Sequence, residues 1–117
     1  MSIKITKEVK TVLREISLKE PLDGAGFKTA KVLLNFEIIN RSEALDLLKE
    51  SDVVLLKRTV KGWGDPKRDG KGGFEDEDGN AIPFTPENFD AIMDIPWISA
   101  GCGRAYMETA YGAKLGN

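Results

Sequence analysis

The fold of this chain is decided by residues 12–38, VLREISLKEPLDGAGFKTAKVLLNFEI. Residues 21–26, PLDGAG, form a turn signal, because proline fixes φ, aspartate hydrogen-bonds nearby backbone and glycine adopts positive φ freely. After the turn, every second residue is apolar, which is typical of a strand with one buried face; these residues are Val32, Leu34, Phe36 and Ile38. The stretch therefore predicts a β-hairpin with a loop of several residues.

The segment before the turn allows two interpretations. Residues 12–18 can form the first strand of the hairpin. Apolar residues in the range 5–16 also recur at helical spacing, at Ile5, Val9, Val12, Leu13 and Ile16. A short helix before or instead of the first strand stays open within a hairpin region of residues 1–40.

Residues 41–63 are predicted to be helical. Asn40 or Ser42 can cap a first helix, and Ser51 with Asp52 offers a second starting point. Beyond it, apolar residues follow at intervals of three, four and three, as on one helical face: Val53, Leu56, Val60 and Trp63. Several residues there are β-branched, and a strand is therefore the alternative.

Residues 85–114 predict two further helices. Thr85 is a capping residue, and Pro86 follows at the first helical position, where the missing N–H of proline is not needed. A last helix is predicted from about Trp97 to Ala113. The expected fold is α+β: one domain, residues 1–117, with a β-hairpin, about four helices and a long exposed loop at residues 64–81.

The composition is that of an ordinary globular domain, with 41% hydrophobic and 31% charged residues. Seventeen basic and nineteen acidic residues give a formal charge of −2, which provides no general attraction to nucleic acid or to anionic membranes. No apolar run approaches the roughly 20 residues that cross a bilayer. With a single cysteine, these features predict a protein of the reducing cytoplasm.

The absence of histidine excludes several kinds of active site. Histidine is the commonest general base near neutral pH and the commonest metal ligand. Without it, Ser-His and Cys-His nucleophiles cannot be built, and one cysteine cannot make a zinc site of the usual kind. The sequence therefore predicts a protein that is not an enzyme and binds no cofactor or metal.

The glycine-rich loop matches neither of two known ligand-binding motifs. A phosphate loop fails, because five residues separate Gly64 from Gly70 where the motif has four, and Lys71 precedes Gly72 rather than Ser or Thr. An EF-hand fails, because Gly79 comes too early after Asp76. A carboxylate-using enzyme with a cation at residues 75–78 is the least favoured hypothesis, and an exposed loop is preferred.

The remaining aromatic residues and the cysteine suggest packing roles. Trp63, Phe84, Phe89 and Trp97 are expected to hold the helical half together. Cys102 lies among small residues in a helical stripe and is expected to be an inert packing thiol. Tyr106 and Tyr111 lie five residues apart and should point in different directions, so that one can pack while the other meets a partner. Both are the candidate partner-binding residues.

Short motifs follow one another in a characteristic order from residue 41 onward. An Arg-x-Glu helix start at Arg41 and Glu43 is followed by VKGW at residues 60–63, an acidic Asp-Gly turn, IPFTPENF at residues 82–89 and IPW at residues 95–97. The succession, with a last tyrosine-containing helix closing near Lys114 and Asn117, resembles the tail assembly chaperones of long-tailed bacteriophages. Residues 65–75 look like additional length relative to that family, which leaves open whether Trp63 and Phe84 meet.

The resemblance implies a binding function. Proteins of this family coat the long helical tape measure protein, keep it soluble and help tail tube subunits assemble around it, and they are absent from the finished particle. The implied partners are the tape measure and tail tube proteins, with a homo-oligomer possible and neither nucleic acid nor membrane involved. The alternative is a structural tail adaptor that is retained in the virion.

Overall fold

The computed structural model describes residues 2–112. Two long strands, β1 (Lys10–Pro21) and β2 (Phe27–Ile38), form a hairpin. They are followed by helices α1 (Arg41–Glu50) and α2 (Asp52–Thr59), strand β3 (Val60–Trp63), and helices α3 (Pro86–Met93) and α4 (Pro96–Tyr111). A three-stranded antiparallel sheet in the order β1-β2-β3 and four helices confirm the α+β prediction.

The hairpin keeps one regular register from Lys10 opposite Ile38 to Pro21 opposite Phe27. Its buried side chains carry even numbers and therefore lie on one face of the sheet: Ile16, Leu18, Val32, Leu34 and Phe36. The open choice for residues 5–16 is resolved as a strand that begins at Lys10, because cross-strand pairing outweighs a helical spacing of few residues. Residues 2–9 belong to neither helix nor strand.

The helical prediction for residues 41–63 is wrong at its end. Helix α2 stops at Thr59, and Val60–Trp63 pairs with β2 as a third strand. The register passes from Asn35 opposite Gly62 to Phe36 opposite Val60, and Lys61 is therefore an extra residue in a β-bulge. The bulge turns Val60 and Trp63, three residues apart, to the same buried side. The three-residue spacing thus reflects a bulge rather than a helical turn.

The helices cover the buried face of the hairpin and share one core with it. Helix α4 packs on β1 and α2, and its approach to the strand is close: a Cβ on Gly101 would lie 2.5 Å from Leu18 Cδ2. The largest fully buried side chains come from β2, α2, α3 and α4: Phe36, Leu34, Leu55, Leu56, Met93 and Tyr106.

The predicted helix starts are largely confirmed. The hydroxyl of Ser51 accepts a hydrogen bond from the Val54 N–H at 3.1 Å, and that of Thr85 accepts one from Asn88 N–H at 3.1 Å. Asn40 precedes α1 but makes no side-chain cap. The predicted end of the last helix at Ala113, and the closing residues Lys114 and Asn117, lie outside the described residues.

The loop at residues 64–81 is largely exposed but is tied to the sheet. It contains a 3-10 turn at Pro66–Arg68. Leu33 of β2 donates its N–H to the Gly72 carbonyl and accepts from Gly64 N–H, both at 2.8 Å. The loop therefore extends the sheet beyond β3 instead of hanging free as an insertion. Among residues 2–112, none of the helices is long and apolar enough to cross a membrane.

Candidate functional site

Four aromatic side chains meet where the loop returns to the helices: Trp63, Phe74, Phe84 and Phe89, here called the aromatic cluster. The Trp63 ring makes edge contacts with Phe74 and Phe84 at centroid distances of 5.0 and 4.8 Å, and Phe84 contacts Phe89 at 6.2 Å. The indole N–H of Trp63 donates to the Ile82 carbonyl at 2.7 Å. The extra loop length therefore does not keep Trp63 and Phe84 apart.

The expectation that Trp63, Phe84, Phe89 and Trp97 pack inside the helical half is met only in part. Trp63 and Phe89 lie in the core, Trp97 is half-buried against it, and Phe84 remains 41% exposed. Edge contacts of this kind contribute about 0.5–1.5 kcal/mol each beyond the area that they bury. Phe84 is therefore both a packing residue and a surface residue.

An apolar groove of about 300 Å³ opens beside Phe84, here called the lysine-rimmed groove. It is lined by Lys57, Val60, Lys61, Phe84, Thr85, Pro86 and Phe89. The ammonium of Lys57 lies 3.6 Å from Asp90 Oδ1, and that of Lys61 lies 3.5 Å from Glu37 Oε1. The groove thus has an aromatic floor and a polar rim, which is the usual character of a small binding site.

A second depression, of about 270 Å³, holds both candidate tyrosines and is here called the tyrosine cleft. It lies between the end of β2, the start of α1 and the last turns of α4. Its lining comprises Ile38, Ile39, Asn40, Arg41, Ala44, Tyr106, Ala110 and Tyr111. The sequence prediction therefore falls on residues that the fold brings to one place.

Tyr106 lies at the floor of the cleft, with an exposed fraction of 1%. Its ring meets Phe36 edge-on at a centroid distance of 5.6 Å, and its hydroxyl oxygen accepts a hydrogen bond from Ile39 N–H at 3.2 Å. Burial raises the pKa of the phenol, partly opposed by that hydrogen bond, and the group stays neutral. A buried ring cannot reach a partner unless α4 moves, and Tyr106 serves the core.

Tyr111 is the surface member of the pair. Its side chain is 41% exposed at the rim, and the guanidinium of Arg41 lies 6.0 Å from its ring centroid. That distance is the outer limit of a cation–π contact. The prediction of partner contact therefore depends on Tyr111, with Arg41 as its neighbour.

A charged network joins the elements around both depressions. Arg58 Nη1 donates to Glu37 Oε2 at 2.8 Å, and Arg58 Nε donates to Glu43 Oε2 at 2.9 Å. The hydrogen bond from Arg58 holds the pKa of Glu37 below its ordinary value, with Lys61 acting in the same direction. These contacts join β2, α1, α2 and β3 and set the position of the groove relative to the cleft.

In the acidic part of the loop, a carboxylate accepts hydrogen bonds from backbone N–H groups of the loop itself. The Oδ1 atom of Asp76 accepts hydrogen bonds from Asp78 N–H and Asn80 N–H, both at 2.9 Å. In the part of the chain that the structure describes, no three Cys, Asp or Glu residues are placed to hold a metal ion. Asp76 therefore organises a turn.

Cys102 lies within the core of α4. Burial, followed by the nearby charge of Asp52, raises the pKa of its thiol to about 12. Because the thiolate is the nucleophilic form, this cysteine is chemically inert in the folded protein. The sequence prediction of a packing thiol agrees with its position.

The chain was compared with protein-family models, curated proteins and solved structures. No match was found in any of the three.

Several lining residues were not predicted from the sequence. In the sequence, Arg41 stands out only as part of a helix-start motif and Pro86 only as a first helical residue, and no pattern marks Lys57 or Lys61. The burial of Tyr106 had a detectable signal, because it continues the four-residue spacing of Ile98 and Cys102 along α4. The lysine-rimmed groove had none, since it depends on the bulge in β3.

Proposed function

We propose that this protein is a bacteriophage tail assembly chaperone, which binds and solubilises the tape measure protein in the host cytoplasm without catalysing a reaction. It would keep that long helical protein available while tail tube subunits assemble around it. The observation that carries the proposal is the ordered succession of motifs from VKGW at residues 60–63 to IPW at residues 95–97.

The fold brings residues of those motifs into contact. Trp63 of the first motif contacts Phe84 of the second at 4.8 Å, and Phe84 in turn contacts Phe89 at 6.2 Å. Residues that carry the resemblance are thus neighbours in space, and Phe84 and Phe89 among them line the lysine-rimmed groove. The motifs therefore meet in one part of the fold.

The two depressions suit reversible contact with a helical protein. A chaperone must release its client, and this requires several weak apolar contacts rather than one deep pocket. The tyrosine cleft and the lysine-rimmed groove are shallow, of about 270 and 300 Å³, and each exposes one aromatic side chain at 41%, Tyr111 or Phe84. Helix-in-groove recognition uses such apolar anchors at intervals along a helix.

The proposal is tested by co-expression with a tape measure protein, the client that it implies. We expect the wild-type protein to co-purify with the tape measure and to raise its soluble yield. The variant Tyr111→Ala should reduce that yield several-fold while keeping its own melting temperature. Phe27→Ala is a matched control, because Phe27 is a 63% exposed aromatic residue at the hairpin turn, outside both depressions. If wild type neither binds nor solubilises the tape measure, the proposal is wrong.

Purified particles separate the chaperone from a retained adaptor. A chaperone leaves the tail before completion, and we expect mass spectrometry of finished virions to detect at most traces of this chain. Recovery in stoichiometric amount with the tail proteins would instead establish the adaptor.

A further inference from the structure

Within residues 2–112, the outer strand of the sheet presents a long edge without a partner strand. In the order β1-β2-β3, β1 is an edge strand, and its whole length from Lys10 to Pro21 is paired with β2 in one unbroken register. No bulge interrupts β1, and its proline stands only at its last position. Proteins commonly protect an exposed edge by such devices, because its free backbone groups pair readily with another strand.

The direction of the free backbone groups follows from Leu33. Its N–H donates a hydrogen bond to the Gly72 carbonyl, and its C=O accepts one from Gly64 N–H. Both groups of Leu33 therefore point away from β1. Because these directions alternate along antiparallel strands, its partner Glu15 turns its own N–H and C=O away from β2. The same holds for every second residue of β1, and the outward groups therefore belong to Thr11, Leu13, Glu15, Ser17 and Lys19.

We propose that a second copy of this chain occupies that edge, with the two β1 strands antiparallel about a two-fold axis. The two hairpins then form one continuous sheet. In an isologous pair each copy supplies the edge that the other lacks. The free edge at β3 is a poorer candidate, because it is four residues long and is bulged, with the loop bonded next to it.

Charge complementarity favours a second copy and selects a register. With the axis at Ser17, Glu15 of each copy faces Lys19 of the other, and Arg14 faces Glu20. The outward backbone groups of Glu15, Ser17 and Lys19 are then in position to pair. An axis at Glu15 would instead place Glu15 opposite its own copy, and like charges directly opposite are destabilising.

Solution mass is the first test. We expect a mass twice the monomer's 12.9 kDa at high concentration, falling to the monomer on dilution. Ser17→Pro removes an outward N–H and no bond to β2, and it should give a folded monomer. Ser17→Ala is its matched control and should stay dimeric. Glu15→Gln removes the pairing with Lys19 of the other copy and should weaken the dimer several-fold. A wild type that stays monomeric at every concentration, or a dimer that Glu15→Gln leaves unchanged, overturns the proposal.

Amide hydrogen exchange tests the pairing of the two β1 strands directly. It also shows whether a variant is still folded. We expect the amides of Leu13, Glu15 and Ser17 to become protected as the wild-type concentration rises. Those of Arg14 and Ile16, bonded to β2, should be protected throughout. If the outward amides exchange at the same rate at all concentrations, or gain protection only when the tape measure is added, the self-pairing is wrong. The test of the proposed chaperone function is independent of self-pairing, because it measures the solubility of the tape measure protein.

Discussion

Arg58 shows how one residue can hold several elements together. Its guanidinium bonds Glu37 at the end of β2 and Glu43 in α1, while its own backbone belongs to α2. A planar guanidinium can satisfy two carboxylates at once, which an ammonium group cannot do with the same geometry. Arg58 therefore fixes the crossing of three elements next to both depressions.

The network should make stability depend on acid pH through Glu37. Its pKa is lowered in the folded protein, so that its contribution is present above its ordinary value of 4.5 and is lost as the pH falls through the lower folded value. We expect the unfolding free energy of wild type to fall below about pH 4.5, and that of Glu37→Gln to fall less steeply. Urea unfolding from pH 7 to pH 3 measures the difference.

A control removes one carboxylate without touching Arg58. Glu50→Gln, at the exposed end of α1, should keep the wild-type dependence on pH. If Glu37→Gln and wild type lose stability in parallel, the link between Arg58 and Glu37 contributes nothing to folding.

At the scale of the element, the sequence predicted whatever depends on local pattern. The hairpin followed from alternation and a turn, and α2 and α3 from Ser51 and Thr85 with the apolar residues behind them. Strand β3 did not, because a bulge at Lys61 mimics helical spacing and the strand forms only when β2 is present to pair with it. The sequence points to the tyrosine cleft because Tyr111 is a candidate partner-binding residue. It does not point to the lysine-rimmed groove, which depends on that non-local pairing.

The entry into the loop provides a prediction about one element. Gly64 has φ +80°, and a Cβ there would overlap the carbonyl of Gly70. We expect Gly64→Ala to lower the unfolding free energy by more than about 2 kcal/mol, because left-handed strain adds to a backbone clash. Gly62, two residues earlier in β3, would have nothing within 4 Å of its Cβ. Gly62→Ala should be neutral or stabilising by up to about 1 kcal/mol, and equal losses in the two variants would show that the loop entry is not constrained.

At the scale of the whole molecule, all elements share a single core. Helix α4 reaches β1, α2 and α3, and elements far apart in sequence thus become interdependent. Composition could predict one domain of this size, since a chain of about 120 residues buries enough apolar surface for one core. It could not predict which end of the hairpin the helices cover, because that depends on close contacts such as Gly101 against Leu18.

Cys102 should report on unfolding of the entire core. With its pKa raised to about 12, its reaction with a thiol reagent at pH 8 should be at least about a thousand-fold slower in the native protein than in the unfolded chain. Labelling rates in increasing urea should then follow the same transition as circular dichroism. Rapid labelling without denaturant would mean that α4 opens separately from the rest of the molecule.

The far end of the hairpin offers a practical consequence of this architecture. Every residue from 21 to 29 is exposed. Ala25 is the position to label, because Gly24 and Gly26 have φ values of +85° and +90°, which side chains rarely adopt. The turn also lies away from the tyrosine cleft and the lysine-rimmed groove. A fluorophore or epitope placed there would allow the protein to be followed in cells while both depressions stay unchanged.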